Sequence, residues 1–449
     1  VKFISPIDAM FLIAENHVQP MHAATLQLLE PPEHAGPGFV RDLYDTLLRH
    51  TEFDLAFTRR PRTALGMPID WAVEEVDLRC HVKHSGLPHP GGMSELLDLV
   101  SDLHRQMFDR TRPPWEVHLI EGLQDGRFAL YFKWHHALFD GISAQTIIRG
   151  AYSTDALGKQ AHPLWHLPPG HRPRGRATAT DTRTDEAAKT PPRRTTWQGA
   201  LDAGLAAVPS AAPKTVFNVP IGSARRCEIG AVPISQAKTI SARTGTTIND
   251  VILAITGGAL RAYLNRHDRL PVKSIVAMVP VSLRPEGSYD RQGGNKVGAA
   301  LCKLGTDIED PLQRLARISG SMLRTKQIHS NLSSAQSLGL SALLLAPGVV
   351  KTLIDPVVSV PPPFNVVISN IPGIAHERYW GGARLSGMYP LSFPLHGHAL
   401  NITVSSIVDE LDFGFVACAE SVPALADLPM FLLQSAAELT SAVGASQLS

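Results

Sequence analysis

His135 and His136 stand side by side in the run YFKWHHALFDG, with Asp140 four residues past the second histidine and Gly141 directly after it. A neutral imidazole can take a proton from an alcohol, amine or thiol near neutral pH, because its reference pKa is about 6.5. Three other readings compete with such a general base. Two histidines and an aspartate can ligate zinc, but HHxxxD lacks the i, i+4 histidine pair of an HExxH helix, and no metal is expected. Nucleophilic catalysis finds no GxSxG elbow, and Cys80, Cys227, Cys302 and Cys418 are scattered without a motif. A histidine at a strand end is also commonly a structural hydrogen-bonder.

The elements around the pair favour a chemical reading. Phe128, Leu130, Phe132 and Trp134 alternate with Ala129, Tyr131 and Lys133, the period-2 pattern of a strand with at least one buried face. If the extended geometry continues through both histidines, their side chains leave on opposite faces and take different jobs. Ile142 to Ile148 has helical spacing, so the pair lies on a strand-to-helix connection, where pocket residues are often found.

HHALFDG resembles the HHxxxDG signature of the coenzyme A-dependent acyltransferase superfamily, which includes peptide-synthetase condensation domains. Further stretches narrow the resemblance. SPIDAMFLIAE with PMH, then LPHPGG, RPPWEVHLIEGL, FNVPIGSARR, TTINDVILA, VPVSLR, SNIPG and HALNI are similar, in this order, to the bacterial wax ester synthase/diacylglycerol acyltransferase family. Pro114 departs from the family, which usually has Leu before the Trp of that turn.

The resemblance implies an α/β, two-domain architecture like chloramphenicol acetyltransferase and the condensation domains, with a substrate tunnel between the domains. His136 would be the general base and His135 an orienting neighbour. Asp140 would be structural: its place at the start of a helix suits either an N-cap or an ion-pair partner, and the resemblance favours a pair with Arg284 of VPVSLR. Gly141, Asn249, Asp250, Asn295, Ser369, Asn370 and Asn401 are candidates for substrate or oxyanion contacts. Read from the residues alone, Asn249 and Asp250 open a predicted helix and serve equally well as caps, and the other polar candidates as turn or strand hydrogen-bonders.

A chain of 449 residues is too long for one ordinary core, and strands and helices mix in both halves. Residues 1–156 read as an N-terminal subdomain, 157–215 as a linker rich in Pro, Arg and Thr, and 216–449 as a C-terminal subdomain. A short helix is predicted within the linker at 201–208. Lys and Arg number 42 against 41 Asp and Glu, so no global field recruits nucleic acid. Ser5, Pro6 and Asp8 read as N-cap, N1 and N3 of a first helix, and no signal peptide is expected. The apolar run at 338–350 is too short to span a bilayer and reads as a core or in-plane helix.

The expected partners are acyl-coenzyme A and a long-chain alcohol or diacylglycerol, with no cofactor beyond the substrates. The expected location is the cytoplasm, peripherally at the inner membrane or on lipid inclusions. A condensation-type synthase using carrier-bound acyl groups and a non-catalytic lipid-binding member are the alternatives. Acceptor preference, chain length and oligomeric state are not written in the sequence.

Overall fold

The computed structural model describes residues 2–158, 161–166, 212–282, 297–330 and 362–445. The first of two six-stranded sheets runs β12 (Tyr379–Trp380), β13 (Ala383–Leu391), β2 (His22–Glu30), β7 (Phe128–His135), β6 (Trp115–Glu121), β5 (Val82–Gly86). The second runs β10 (Val297–Lys303), β9 (Val276–Ser282), β11 (Val366–Ile374), β14 (Leu400–Ile407), β15 (Glu410–Cys418), β8 (Arg225–Pro233). A small third sheet holds β1 (Lys2–Phe3), β4 (Met67–Val73) and β3 (Arg59–Ala64). Helices α1 (Pro6–Ala14), α2 (Phe39–Leu47), α3 (Leu78–His81), α4 (Met93–Arg105) and α5 (Gly141–Ala151) belong to the first half. The second half has α6 (Ile234–Thr244), α7 (Ile248–Arg266), α8 (Pro311–Ser330) and α9 (Asp427–Ala445).

The mixed α/β, two-part architecture agrees with the sequence reading, but a cut at residue 216 does not separate the sheets. β13, far down the chain, pairs antiparallel with β2, placing Leu391 opposite Ala24 and Arg384 opposite Glu30. Local pattern marks a strand without naming its partner, so this return crossing is not visible in the sequence. The expected linker is also partly core. Trp165 is fully buried, stacks on Trp115 with ring centroids 5.6 Å apart, and donates from Nε1 to the His50 carbonyl at 3.0 Å. The helix predicted at 201–208, the apolar run at 338–350, Arg284 and Asn295 all lie outside the described residues.

Strand β7 is buried on both faces, which explains its near-continuous apolar character. Phe128, Leu130, Phe132 and Trp134 join a core with Trp115 and Trp165; Ala129 and Tyr131 pack instead with Leu96, Leu97 and Val100 of α4 and with Cys227 and Val416 of the second sheet. Burying a large apolar side chain of this kind contributes about 1.5–3 kcal/mol. Lys133 is fully buried among them and stays tolerable because its ammonium is satisfied. Its Nζ donates to the carbonyls of Leu103, in the last turn of α4, and Gln106, its C-cap, at 3.0 and 3.1 Å, and lies 3.2 Å from Glu116 Oε2. The strand that delivers the histidines is thereby tied to α4.

LPHPGG makes the turn into α4. Gly91 has φ +77, and a Cβ there would come within 1.9 Å of the Gly122 carbonyl oxygen, so only glycine fits. Further ties cross between the halves. The Cys227 N–H donates to Ser101 Oγ at 2.9 Å, and Arg226 meets Asp98 at 2.6 Å.

Candidate active site

β7 ends at His135, and His136 begins a turn in which the Leu138 N–H donates to the His135 carbonyl at 2.9 Å. Extended geometry therefore does not run through both histidines, and the expectation of opposite faces is replaced by a different division. Both rings meet the C-terminal part of α1, one turn apart. His136 packs on Phe11 at 4.4 Å between centroids, while His135 Nε2 lies 3.4 Å from Glu15 Oε1.

The main chain of the pair is clamped by two neighbouring segments. The His135 N–H donates to the Pro114 carbonyl and the His136 N–H to the Met21 carbonyl, both at 2.9 Å. Pro114 thus has a structural place beside the histidines. The following Trp115 anchors that turn by donating from Nε1 to the Phe57 carbonyl at 2.8 Å. Ser5 caps α1 as expected, accepting from the Asp8 N–H at 3.1 Å, and so fixes the helix that carries Phe11 and Glu15.

The two imidazoles differ in chemistry. The Ala137 N–H donates to His135 Nδ1 at 3.1 Å, which leaves the ring proton on Nε2, facing Glu15. Burial would raise the Glu15 carboxyl, but the hydrogen bonds from His135 and the Met21 N–H and the charge of Arg110 outweigh it and hold it below the usual range. His135 is a buried, oriented residue. His136 is half-buried, its ring in a three-ring cluster with Phe11 and Phe393, the latter at 5.6 Å from it and 6.3 Å from Phe11. Burial pushes its pKa down to about 4, while the charge of Asp140 and a hydrogen bond to its own main chain pull upward. At neutral pH the ring is a free base.

Asp140 is the N-cap of α5, accepting from the Ser143 N–H at 2.8 Å. This is the cap role open to an aspartate at that position. Its expected partner Arg284 lies outside the described residues. Gly141 opens the helix against β11, where an added Cβ would sit 2.9 Å from Ile371 Cδ1. The histidine loop is thus set against the face of β11 that carries Val367, Ser369 and Ile371.

That face continues onto β14. Val367 pairs with Asn401, Ser369 with Thr403 and Ile371 with Ser405, so Asn401, Thr403 and Ser405 form a buried polar row beside Ser369. Asn401 Oδ1 accepts from Thr403 Oγ1 at 3.0 Å. The buried polar atoms without a hydrogen-bond partner among the described residues include Ser405 Oγ, and Nε2 of Gln145, one helical turn beyond Gly141 on the same side of α5. Leaving such a group unsatisfied costs about 1–3 kcal/mol, which makes both positions suited to a substrate's polar atoms or to water.

Asn249 and Asn370 come together, with Asn370 Nδ2 3.3 Å from Asn249 Oδ1. Strand alternation puts Asn370 with Ile368, on the helix-packed face of β11 and across the sheet from Ile371. Asn249 therefore meets β11 from the side away from Gly141. Asp250 is occupied structurally. Thr247 is the N-cap of α7, and Asp250 Oδ2 accepts the Thr247 N–H at 3.0 Å in a reciprocal capping box. The candidates of TTIND thus divide into a cap and an inter-element pair.

Sequence reasoning missed Glu15, Phe11, Phe393, Gln145 and Ser405. SPIDAMFLIAE carried a usable signal, since Phe11 and Glu15 are four apart and share one side of a helix. Nothing local marks Phe393 or Ser405. All four cysteines are free thiols, and burial pushes those of Cys227 and Cys302 up to about 12, which makes them poor nucleophiles. Among the described residues no group of three or more His, Cys, Asp or Glu side chains is arranged to hold a metal ion.

Two sheets meeting across a histidine loop give the two-domain architecture of the chloramphenicol acetyltransferase and condensation-domain class. The first condensation domain of the CDA synthetase covers 99% of this chain and 96% of its own at TM-score 0.61 and 15% identity, a likeness of fold. The chain belongs to the wax ester synthase/diacylglycerol acyltransferase family. Residues 4–252 match the model of that family's catalytic domain and 293–439 that of its C-terminal domain. A Mycobacterium tuberculosis protein described as a “putative diacylglycerol O-acyltransferase” is 44% identical over 449 aligned residues, covering 98% of this chain and 100% of that one. The wax ester synthase/diacylglycerol acyltransferase of Marinobacter aquaeolei has a solved structure with TM-score 0.81 and 36% identity, covering 99% of this chain and 100% of its own.

Proposed function

We propose that this acyltransferase moves a fatty acyl group from acyl-coenzyme A to the hydroxyl of diacylglycerol or a long-chain alcohol, with His136 as general base. The observation that carries the reading is the His136 ring, half-buried in a cluster with Phe11 and Phe393 and held neutral by burial, on a loop set against the polar face of β11 and β14.

In this scheme His136 takes the acceptor's hydroxyl proton as the oxygen attacks the thioester carbonyl. The tetrahedral intermediate collapses, the C–S bond breaks, and the imidazolium returns the proton to the leaving thiolate. No covalent enzyme intermediate and no cofactor is needed. General-base catalysis supplies about 10²- to 10⁴-fold, and alignment of the two substrates with oxyanion stabilisation supplies the remainder. His135, tied to Glu15, positions the loop, and Asp140 caps α5 while favouring the imidazolium that forms. Ser369, Asn401 and the unsatisfied Gln145 and Ser405 are the polar groups offered to the acceptor or the oxyanion.

A peripheral location at the cytoplasmic face of the membrane or on lipid inclusions suits acceptors of this kind. Among the described residues no helix is long and apolar enough to cross a membrane. The test is incubation with palmitoyl-coenzyme A and either diacylglycerol or hexadecanol, reading free coenzyme A and ester together. Ester from one or both acceptors supports the proposal and ranks them. Thioester consumption without ester, or transfer only from a carrier-bound acyl group, refutes it.

A further inference from the structure

The small sheet that packs on α1 exposes apolar side chains on both of its faces and at the tip of its hairpin. Of the twelve large hydrophobic side chains exposed among the described residues, seven lie between Phe3 and Val73: Phe3, Ile13, Leu55, Leu65, Met67, Ile69 and Val73. Phe3, Leu65, Met67, Ile69 and Val73 belong to the small sheet and its turn, Ile13 to α1 and Leu55 to the turn before β3, while the remaining five are spread over the rest of the described chain. Leu65 is fully exposed and Phe3 73% exposed.

The hairpin joining β3 to β4 turns through Leu65 and Gly66, at φ +52 and +79. A two-residue turn with both φ values positive favours Asn or Asp before Gly, because a short polar side chain tolerates the left-handed region. Here an aliphatic side chain occupies that place and points a leucine into solvent. The tip stands clear of the body: a Cβ on Gly66 would meet nothing within 4 Å. Behind it, β3 carries Arg59, Arg60 and Arg62. Glu74 takes Arg60 at 2.7 Å and Asp70 takes Arg62 at 2.5 Å; among the described residues no acid pairs with Arg59.

We infer that this hairpin and its sheet are a lipid-docking face, inserting Leu65 and Met67 between the headgroups of a phospholipid surface that holds the acyl acceptor. A convex apolar tip with arginines behind it fits a bilayer interface, where aliphatic side chains enter the acyl boundary and guanidinium groups reach phosphates. A protein partner would be expected to meet a flatter or concave patch with aromatic anchors. The face is continuous with the site: β4 packs on α1, and α1 presents Phe11 and Glu15 to the two histidines. Docking here would set the histidine loop one helix away from the lipid that contains its substrate. This inference rests on the acyl-transfer reading for its choice of partner.

The experiment is flotation of the full chain with phosphatidylcholine–phosphatidylglycerol vesicles, with and without diacylglycerol, for wild type, Leu65→Asp and Leu65→Asp/Met67→Asp. Aspartate suits the positive-φ position of Leu65 better than leucine, and Met67 is more than half exposed, so these variants keep the fold. Met430→Asp/Leu433→Asp, on exposed positions of α9, is the control. The hairpin variants should lose about tenfold or more of vesicle binding, and turnover of vesicle-borne diacylglycerol should fall with it. Transfer from a short-chain acyl-coenzyme A to a water-soluble alcohol should change less than about twofold, because the site itself is untouched.

Flotation that is the same in wild type and hairpin variants overturns the inference. So does a wild type that stays off vesicles and forms a concentration-dependent dimer abolished by Leu65→Asp, which would make the face a contact between copies. A wild type inactive on soluble substrates would refute the transfer reading, while flotation lost in Leu65→Asp would still uphold the docking face.

Discussion

Glu15 and His135 meet at 3.4 Å with side chains only 4% and 2% exposed, so the residue that follows α1 holds the first histidine of the pair from outside its strand. Glu15 is itself held: it accepts the Met21 N–H at 3.3 Å, and Arg110 lies 3.2 Å from its other oxygen. Because Met21 also binds the His136 main chain, one carboxylate organises both histidines. Glu15→Ala should lower stability by about 1–3 kcal/mol and activity severalfold, since buried donors lose their acceptor. Glu15→Gln, which can still accept, should recover much of both. Paired thermal melts and turnover measurements check this; wild-type behaviour in Glu15→Ala would remove the orienting role.

The pH profile tests the state of His136. Burial lowers its pKa from the ordinary value near 6.5 to about 4, so the ring stays unprotonated, as the proposed base must be, well below pH 6.5. The acidic limb of kcat/KM should accordingly fall near pH 4 to 5. Asp140 stabilises the protonated ring, so Asp140→Asn should move that limb lower still. Asparagine can keep the bond from the Ser143 N–H, whereas Asp140→Ala should also cost about 0.5–2 kcal/mol of stability through the lost cap. An acidic limb at 6.5, unchanged in Asp140→Asn, would contradict the electrostatics described.

Much of this arrangement was legible in the sequence, and the parts that were not share a cause. Strand β7, the cap Ser5-Pro6-Asp8 and the strand-to-helix setting of the histidines follow from period and capping chemistry, which are local. The pairing of β13 with β2, the burial of Trp165 within a stretch read as linker, and the delivery of Phe393 to His136 depend on contacts between distant segments. The β3–β4 hairpin escaped notice for another reason: Arg59, Arg60, Pro61 and Arg62 show no apolar alternation, and a Leu-Gly turn lacks the usual polar signal. At the site, the spacing exposed the histidines but not Glu15, whose partner is known only once α1 is laid beside them.

Asp412 makes a pH prediction of opposite sign, in stability. This buried carboxyl on β15 accepts the Met388 N–H of β13 at 2.6 Å, joining the two large sheets, and burial pushes its pKa up to about 7. A carboxyl whose folded pKa is raised is most favourable when protonated. Its contribution is complete below the unfolded value near 3.8 and is lost as pH rises through about 7. Asp412→Asn cannot ionise and keeps an oxygen for Met388. It should gain on wild type with rising pH, by up to about 4 kcal/mol at pH 9. Denaturant titrations across that range decide the matter; a gap independent of pH would rule out a protonated Asp412.

Ser405 and Gln145 separate a binding role from a structural one. Neither unsatisfied atom loses a protein partner on substitution, so Ser405→Ala should leave stability unchanged or raise it by about 1 kcal/mol. If these groups face the acceptor, Ser405→Ala and Gln145→Met should raise its KM severalfold with a smaller effect on kcat. Unchanged KM for acceptor and thioester in both variants would take the two residues out of the site.

The measurement closest to the central claim is turnover by purified His136→Ala, alongside its melting temperature and acyl-coenzyme A affinity. The ring packs on Phe11 and Phe393, and the loop itself is held by the main-chain bonds of His135 to Pro114 and His136 to Met21, which the substitution leaves in place, so fold and thioester binding should persist. kcat should fall by about 10²- to 10⁴-fold, with His135→Ala less affected in the chemical step than in stability. A folded His136→Ala protein that binds acyl-coenzyme A and turns over at the wild-type rate would contradict the assignment of His136 as the base.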